Sequence, residues 1–184
     1  MESLAGQLLI AIPELPDQNF FRSVVLILQH TDQGASGVIL NRPSDVTVSK
    51  VWDEISNDFC MCTQTVNVGG PVEGPLLALH SCSDLAEARV LKNLYVSLRR
   101  ENLNLLVRRE DEEFRIYSGY AGWGPQQLDS EMERGGWLTL PADPSHVFSS
   151  PDLLWKRVCE NVGHKTLLKP HFGIKSLPID PSMN

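Results

Sequence analysis

The chain has 184 residues, of which 42% are hydrophobic and 21% are charged, and its formal net charge is −7. These values are typical of a globular domain, and the acidic balance argues against a protein that coats nucleic acid or an anionic membrane. No apolar run approaches the roughly 20 residues of a transmembrane helix. Residues 1–7 also lack the basic start of a signal peptide. We therefore expect a cytoplasmic protein with no membrane association.

A predicted β-hairpin dominates the first quarter of the chain. Two apolar, largely β-branched runs, 24–28 and 38–40, are separated by a cluster of turn-forming residues. The pattern predicts a hairpin whose connection is longer than the minimal two residues, with 23–30 opposite 37–44. Neither run alternates apolar with polar residues, so we expect both faces to be covered and the pair to be central in its sheet, with Val25, Ile27, Val38 and Leu40 buried.

Further elements follow from hydrophobic periodicity and from glycine and proline positions. Strands are predicted at 6–12, 65–68, 76–80, 94–98, 114–118 and 137–140. Helices are predicted at 48–55, at 101–108, at 126–134 and from 151 to a stop at Gly163. Segment 81–92 fits either a helix or an irregular excursion. With no repeat or linker in the sequence, we expect one domain over 1–163 and an extended C-terminal tail over 164–184.

Common catalytic signatures do not match this sequence. The run 34–37 lacks the spacing of a nucleophile elbow, and glycines 119, 122 and 124 reverse the spacing of a dinucleotide fingerprint. The histidines lack the spacing of a zinc-binding helix. Cys60 and Cys62 form C-x-C, which is neither a redox C-x-x-C nor half of a zinc ribbon. We predict reduced structural thiols, no metal site and no cofactor. An enzyme with a non-standard site stays open.

Two glycine-rich corners are candidates for ligand binding. Gly69 and Gly70 follow one predicted strand, and the run from Gly119 to Trp123 follows another. Glycines at such exits let backbone N–H groups approach a ligand or form an anion-binding nest. The alternative is structural, because glycine also permits a tight strand exit and the packing of Tyr120 against Trp123.

Polar side chains at the hairpin ends are the remaining candidates. Arg22 and Arg42 could bind an anion together, or they could form structural salt bridges with Glu73 or Glu131. His30 could be a ligand or a base, or a partly buried hydrogen-bonding group. The broad hypothesis is one shared ligand-binding region, and the alternative is that each motif shapes only its own turn. The proposed members of this region are Arg22, His30, Asn41, Arg42, Gly69, Gly70, Gly119 and Trp123.

The sequence contains three motifs in order, which are RSVVLILQH with GASGVILNRP, then VGGPVEG, then GYAGWGPQQLDSE. Together these motifs strongly resemble the YqgE/AlgH family of bacterial proteins. The resemblance implies an α+β fold in which a mostly antiparallel sheet curls into a pseudo-barrel flanked by helices. It implies no established biochemical activity. The chain departs from the family pattern at Gln126, where the family typically has glycine.

Three functions remain open at this level. The leading interpretation is a non-catalytic cytosolic protein that binds an unknown small molecule or protein partner and has a regulatory role. One alternative is a transcriptional regulator, acting directly or indirectly, although a net charge of −7 and the lack of a helix-turn-helix pattern predict no tight nucleic-acid binding. The other is a hydrolase or transferase that uses His30, Arg42 and the glycine corners.

Overall fold

A computed structural model of the chain describes residues 3–15, 17–55, 60–109 and 111–167. The strands are β1 (Gln7–Ala11), β2 (Val24–Thr31), β3 (Gly34–Ile39), β4 (Pro43–Thr47), β5 (Thr65–Val68), β6 (Leu77–His80), β7 (Ala88–Leu91), β8 (Leu94–Ser97), β9 (Phe114–Ser118), β10 (Ala121–Trp123) and β11 (Trp137–Pro141). The helices are α1 (Val48–Ile55), α2 (Arg100–Leu106), α3 (Gln127–Glu133), α4 (Pro144–Phe148) and α5 (Pro151–Leu167). None of the helices in the described part of the chain has the length and apolarity needed to cross a membrane.

The strands form two sheets. One has the order β10-β3-β2-β1-β11 and the other the order β4-β5-β9-β6-β8-β7. Pairing is antiparallel except between β5 and β9. The predicted α+β class with mostly antiparallel, curled β-structure is confirmed, and within the described residues the strands divide between two open sheets that do not close into a barrel.

Three apolar clusters give the molecule its layers. The central cluster lies between the sheets and includes Leu26 and Val38 of the first sheet, Leu79 of the second and Val158 of α5. The outer face of the first sheet packs against α3 through Leu128. The outer face of the second packs against α1 and α2 through Trp52 and Leu106. Both faces of the central strands are thus covered, which explains why β1, the first half of β2 and β6 are apolar runs rather than alternating patterns.

The hairpin is central, as predicted. β2 lies in the middle of its sheet, and Val25, Ile27, Val38 and Leu40 are at most 1% exposed. The predicted register and connection are wrong, because Val25 pairs with Ile39 and only residues 32 and 33 join the strands. β3 begins at Gly34 because a glycine fits against β10, where an added Cβ atom would lie 2.2 Å from the Trp123 carbonyl oxygen.

Other predicted boundaries need correction. β4, β7, β10 and α4 are not among the predicted elements, and segment 81–92 contains a 3-10 turn at Ser83–Leu85 followed by β7. α5 continues through Gly163 to Leu167, so the predicted stop is wrong and residues 164–167 are helical rather than extended. A single glycine weakens a helix without ending it. The rest of the predicted tail, 168–184, lies outside the described residues.

Candidate functional site

The two glycine-rich corners meet at the junction between the sheets. The Gly69 amide donates to the Ser118 carbonyl at 2.8 Å, and the Ile39 amide donates to the Gly69 carbonyl at 2.8 Å. A Cβ atom on Gly69 would lie 2.2 Å from the Gly119 oxygen, and one on Gly70 would lie 2.2 Å from the Tyr120 carbonyl carbon. Backbone atoms therefore fill the space beside Gly69 and Gly70, and these glycines allow one corner to pack directly on the other.

Trp123, from the second corner, lies in an aromatic cluster rather than on the surface. Its side chain is 5% exposed, stacks on Phe20 at 5.6 Å between ring centroids and meets Trp137 edge-on at 6.1 Å. The Glu131 carboxylate accepts hydrogen bonds from both indole N–H groups, at 3.0 Å from Trp123 and 2.9 Å from Trp137. Glu131 is therefore an acceptor for the tryptophans, and the prediction that it pairs with Arg22 or Arg42 is wrong.

His30 lies at the far end of β2, beside α3. A bulge between Ile27 and Gln29 shifts the alternation of side chains, which is how His30 faces α3. Its Nδ1 accepts a hydrogen bond from the Leu4 amide at 3.1 Å, and its Nε2 lies 3.4 Å from Oδ1 of Asp129. In neutral imidazole, a lone pair engaged at Nδ1 leaves the proton on Nε2. Both nitrogens are thus committed, which disfavours His30 as a general base.

Asn41 and the two arginines surround the start of β2. Asn41 accepts from the Val24 amide at 2.8 Å and donates to the Arg22 carbonyl at 2.9 Å, which clamps the chain before the strand. The Arg22 guanidinium carbon lies 5.1 Å from the Phe21 ring centroid and 5.3 Å from that of Trp155. Nη2 of Arg42 donates to the Phe21 carbonyl at 3.4 Å. We call Phe21, Arg22, Arg42 and Trp155 the Phe21 patch.

The charges of the Phe21 patch have no ion-pair partner in the part of the chain that the structure describes. Among the described residues, neither guanidinium has a carboxylate oxygen within 4 Å. Partial burial lowers the pKa of Arg42, and the field of nearby Asp17 opposes that shift without forming an ion pair. Phe21 is 48% exposed and Arg22 is also exposed. The patch therefore presents the Arg22 guanidinium against the exposed Phe21 ring and the Arg42 guanidinium beside the Phe21 backbone carbonyl.

The structure brings some of the predicted site residues together and separates others. Arg22, Asn41 and Arg42 are neighbours. The Arg42 carbonyl accepts a hydrogen bond from the Val68 amide at 2.8 Å, which links Arg42 to the glycine junction, the contact between Gly69–Gly70 and Gly119–Tyr120. His30 lies near the other end of β2, about 20 Å from the start of the strand at Val24. Phe21 and Trp155 are missing from the sequence-based set. Phe21 could have been identified from the sequence, because it is an aromatic residue directly before Arg22. Trp155 gives no such signal, because in the sequence it is only one of the apolar residues on one face of a predicted helix.

These features define an α+β domain of two joined, mostly antiparallel sheets with an arginine–aromatic surface patch. The AlgH-like family model matches residues 8–167, and the chain belongs to this family, which is the YqgE/AlgH family that its motifs indicate. A UPF0301 protein of Myxococcus xanthus is 35% identical over 168 residues, covering 89% of this chain and 93% of the relative. One of Streptomyces avermitilis is 33% identical over 196 residues, covering 100% and 97%.

Solved structures show the same fold. The solution structure of the AlgH protein from Pseudomonas aeruginosa superposes with a TM-score of 0.75 at 29% identity, covering 93% of this chain and 95% of that one. A crystal structure of a protein from Corynebacterium diphtheriae superposes with a TM-score of 0.71 at 26% identity, covering 88% and 87%. The two-sheet arrangement is therefore shared by relatives from distant bacteria.

Proposed function

We propose that this chain is a non-catalytic cytoplasmic protein that binds an acidic partner, a protein segment carrying carboxylates beside an apolar side chain, at the Phe21 patch. The observation that carries the proposal is a pair of guanidinium groups that contact one exposed phenylalanine and lack carboxylate partners among the described residues. Arginine binds carboxylates through paired N–H donors. Arginine and aromatic residues are also the side chains most enriched at the energetic centres of protein interfaces.

The backbone at Arg22 supports a role for its side chain. Arg22 has φ of +50°, in the left-handed region. That conformation costs an ordinary residue roughly 1–2 kcal/mol, and glycine adopts it freely. An arginine held in a strained conformation suggests that its side chain is needed there for something other than folding.

The patch is also held in place before any partner arrives. Asn41 fixes the backbone on both sides of the strand entry, and the Trp155 indole N–H donates to the Ala11 carbonyl at 3.0 Å. Groups that are already ordered lose less conformational entropy on binding. This rigidity favours recognition of a defined segment.

The non-catalytic part of the proposal is supported by His30, whose two nitrogens are both engaged. A regulatory role would then depend on the acidic partner and not on direct contact with nucleic acid. The net charge of −7 favours that choice, since an acidic chain gains little from counterion release.

Isothermal titration calorimetry with a capped acidic peptide tests the proposal. The probe alternates Asp or Glu with Phe or Leu, and a matched peptide replaces the acids by Asn and Gln. We expect Arg22→Gly and Arg42→Ala each to raise the Kd about 10- to 150-fold, because each removes one charge-assisted contact. Arg22→Gly should not lower the melting temperature because it relieves the left-handed strain.

Arg100→Ala is the matched control, since Arg100 is an exposed arginine on α2 and away from the patch. Its Kd should equal that of the original protein. Equal binding of the acidic and amide peptides, or an unchanged Kd in both patch variants, would show that the patch does not recognise acidic groups.

A further inference from the structure

A second surface feature, independent of the Phe21 patch, is an open groove at the far end of the first sheet. Its volume is about 460 Å³, within the range of roughly 300–1,000 Å³ that small-molecule sites occupy. It lies where β2, β3 and β10 continue past the central apolar cluster. We call it the polar groove, and its lining includes Gln29, Gln33, Ser36, Val72, Tyr120 and Gly122.

The pairing of three strands puts several groups of the polar groove on one face. Ser36 of β3 lies opposite both Gln29 of β2 and Gly122 of β10. Residues directly opposite each other on antiparallel strands point to the same face of a sheet. That face is the inner one, because Val38, two residues beyond Ser36, belongs to the central cluster. The bulge that turns His30 towards α3 therefore also turns Gln29 into the groove.

The side chain of Tyr120 forms one wall of the groove. Two backbone hydrogen bonds of 3.0 Å, one in each direction, tie Tyr120 to Val72. A Cβ atom on Gly122 would lie 3.2 Å from the ring carbon Cε2, and one on Gly74 would lie 3.1 Å from Cδ1. Glycine at both positions keeps other side chains off the two edges of the ring, which is partly exposed. The groove thus has a fixed aromatic wall whose electron-rich face attracts C–H groups.

The hydrogen-bonding groups of the groove are available to a ligand. The side chains of Gln29, Gln33 and Ser36 make no hydrogen bond to another group within the described residues, and both glutamines are exposed. An amide or a hydroxyl group can both donate and accept. The Thr31 hydroxyl accepts from the Gln33 backbone amide at 3.2 Å, which holds the turn that carries Gln33. The groove therefore offers donors and acceptors in about equal measure.

The electrostatics of the groove favour a neutral ligand. The described residues that line it include neither a cation nor a carboxylate. Asp32 and Glu73 directly follow lining residues and are exposed, so an anion would meet repulsion without a compensating cation. A cation would find no carboxylate in the lining, and water screens the two carboxylates outside it.

We propose that the polar groove binds a neutral saccharide, with a sugar ring packed against Tyr120 and its hydroxyl groups bonded to Gln29 and Gln33. A sugar ring carries C–H groups on its faces and hydroxyl groups around its rim. The first need an apolar or aromatic wall, and the second need partners that both donate and accept. The groove supplies both kinds of contact and no charge.

Chemical-shift titration of the isotope-labelled full chain tests the proposal. The probes are four neutral disaccharides, which are cellobiose, maltose, lactose and sucrose. We expect at least one to cause saturable shifts at 29, 33, 36 and 120–122. Gln29→Ala and Gln33→Ala should each raise its Kd about 2- to 12-fold, because each removes one neutral hydrogen bond.

Gln18→Ala is the matched control, since Gln18 is an exposed glutamine in the turn before β2 and does not line the groove. It should leave the Kd unchanged. Arg22→Gly should also leave it unchanged, which separates this site from the Phe21 patch. No saturable shifts with any of the four sugars, or the same Kd in both groove variants as in the original protein, would overturn the proposal.

The chemical class of the ligand is tested with two further comparisons. Methyl β-glucoside and methyl β-glucuronide differ by one carboxylate, and we expect the neutral glycoside to cause the larger shifts at equal concentration. Adenosine is neutral but presents a flat base, and we expect it to cause smaller shifts than the best disaccharide. Stronger binding of the glucuronide or of adenosine would show that the groove does not select neutral sugars.

Discussion

At the scale of single residues, a positive φ marks the positions where a side chain other than glycine is held under backbone strain. Three non-glycine residues, Arg22, Asn93 and Gln126, have positive φ. Gln126 is the N-cap of α3 with φ of +60°, and its side chain makes no capping hydrogen bond. A glycine at this position, which the resemblance to the family implies, would adopt the left-handed conformation without strain.

Replacing Gln126 with glycine should accordingly stabilise the protein. We expect Gln126→Gly to raise the free energy of unfolding by about 0.5–1 kcal/mol, because relief of the left-handed strain exceeds the extra entropy of glycine in the unfolded chain. Urea unfolding followed by tryptophan fluorescence measures the change. Gln126→Ala is the control and should bring no gain, since alanine meets the same steric conflict. A glycine variant that is less stable than the original would contradict this account.

His80 provides a pH-dependent prediction at the same scale. Its side chain is fully buried, and its Nε2 lies 3.0 Å from the Ser97 hydroxyl, which donates to the Leu85 carbonyl. Burial lowers the pKa of His80, with the Cys82 backbone and nearby carboxylates opposing the shift. The folded protein thus binds a proton at His80 less readily than the unfolded chain does. The stabilisation is present above pH about 6.5 and is lost as the pH falls towards the lower folded pKa.

We therefore expect His80→Gln to flatten the acid side of the stability profile. Between about pH 7.5 and pH 5.5, the original protein should lose more unfolding free energy than the variant, by at most about 1.4 kcal/mol per pH unit. Urea unfolding at several pH values gives both slopes, and histidines present in both proteins cancel in the difference. Parallel slopes would mean that His80 does not titrate differently on folding.

At the scale of elements, the glycine junction decides how the sheets meet. Gly69→Ala should lower the free energy of unfolding by more than about 2 kcal/mol, because the new Cβ would lie 2.2 Å from the Gly119 carbonyl oxygen. Gly163→Ala is the matched control, since Gly163 lies inside α5 with nothing within 4 Å of an added Cβ. It should stabilise the protein by about 0.5–1 kcal/mol. Thermal unfolding by circular dichroism distinguishes the two. A mild Gly69 variant would show that the junction can rearrange.

Elements with a strong local signal could be predicted from the sequence, and those defined by distant contacts could not. The apolar face of α1 and the unbroken apolar run of β2 can be recognised from their local sequence alone. β10 is only three residues long and exists because its backbone pairs with 35–37 of β3. The Gly34–Gly37 segment carries the residues of a turn, yet it is a strand because its glycines allow other backbone segments to approach. Local propensity alone cannot reveal such an approach.

At the scale of the whole molecule, the motifs predicted the fold class, whereas the members of the candidate site could be grouped only with the structure in hand. Apolar strands without alternation require cover on both faces, and the three clusters supply it. The candidate site depends on side chains that meet across long sequence distances. Trp155 reaches Arg22 from α5, and no periodicity connects them. The sequence therefore indicated both arginines but not the aromatic residues around them.

Chemical-shift mapping of the isotope-labelled protein tests the central claim most directly. The acidic peptide is titrated into the full chain while backbone amide signals are followed, together with the indole N–H of Trp155. The account predicts that the largest shifts cluster at 20–22, at 41 and 42 and at Trp155, and that they disappear in Arg22→Gly. Shifts that centre on other surfaces, or that persist unchanged in the variant, would contradict the assignment of the Phe21 patch as the binding site.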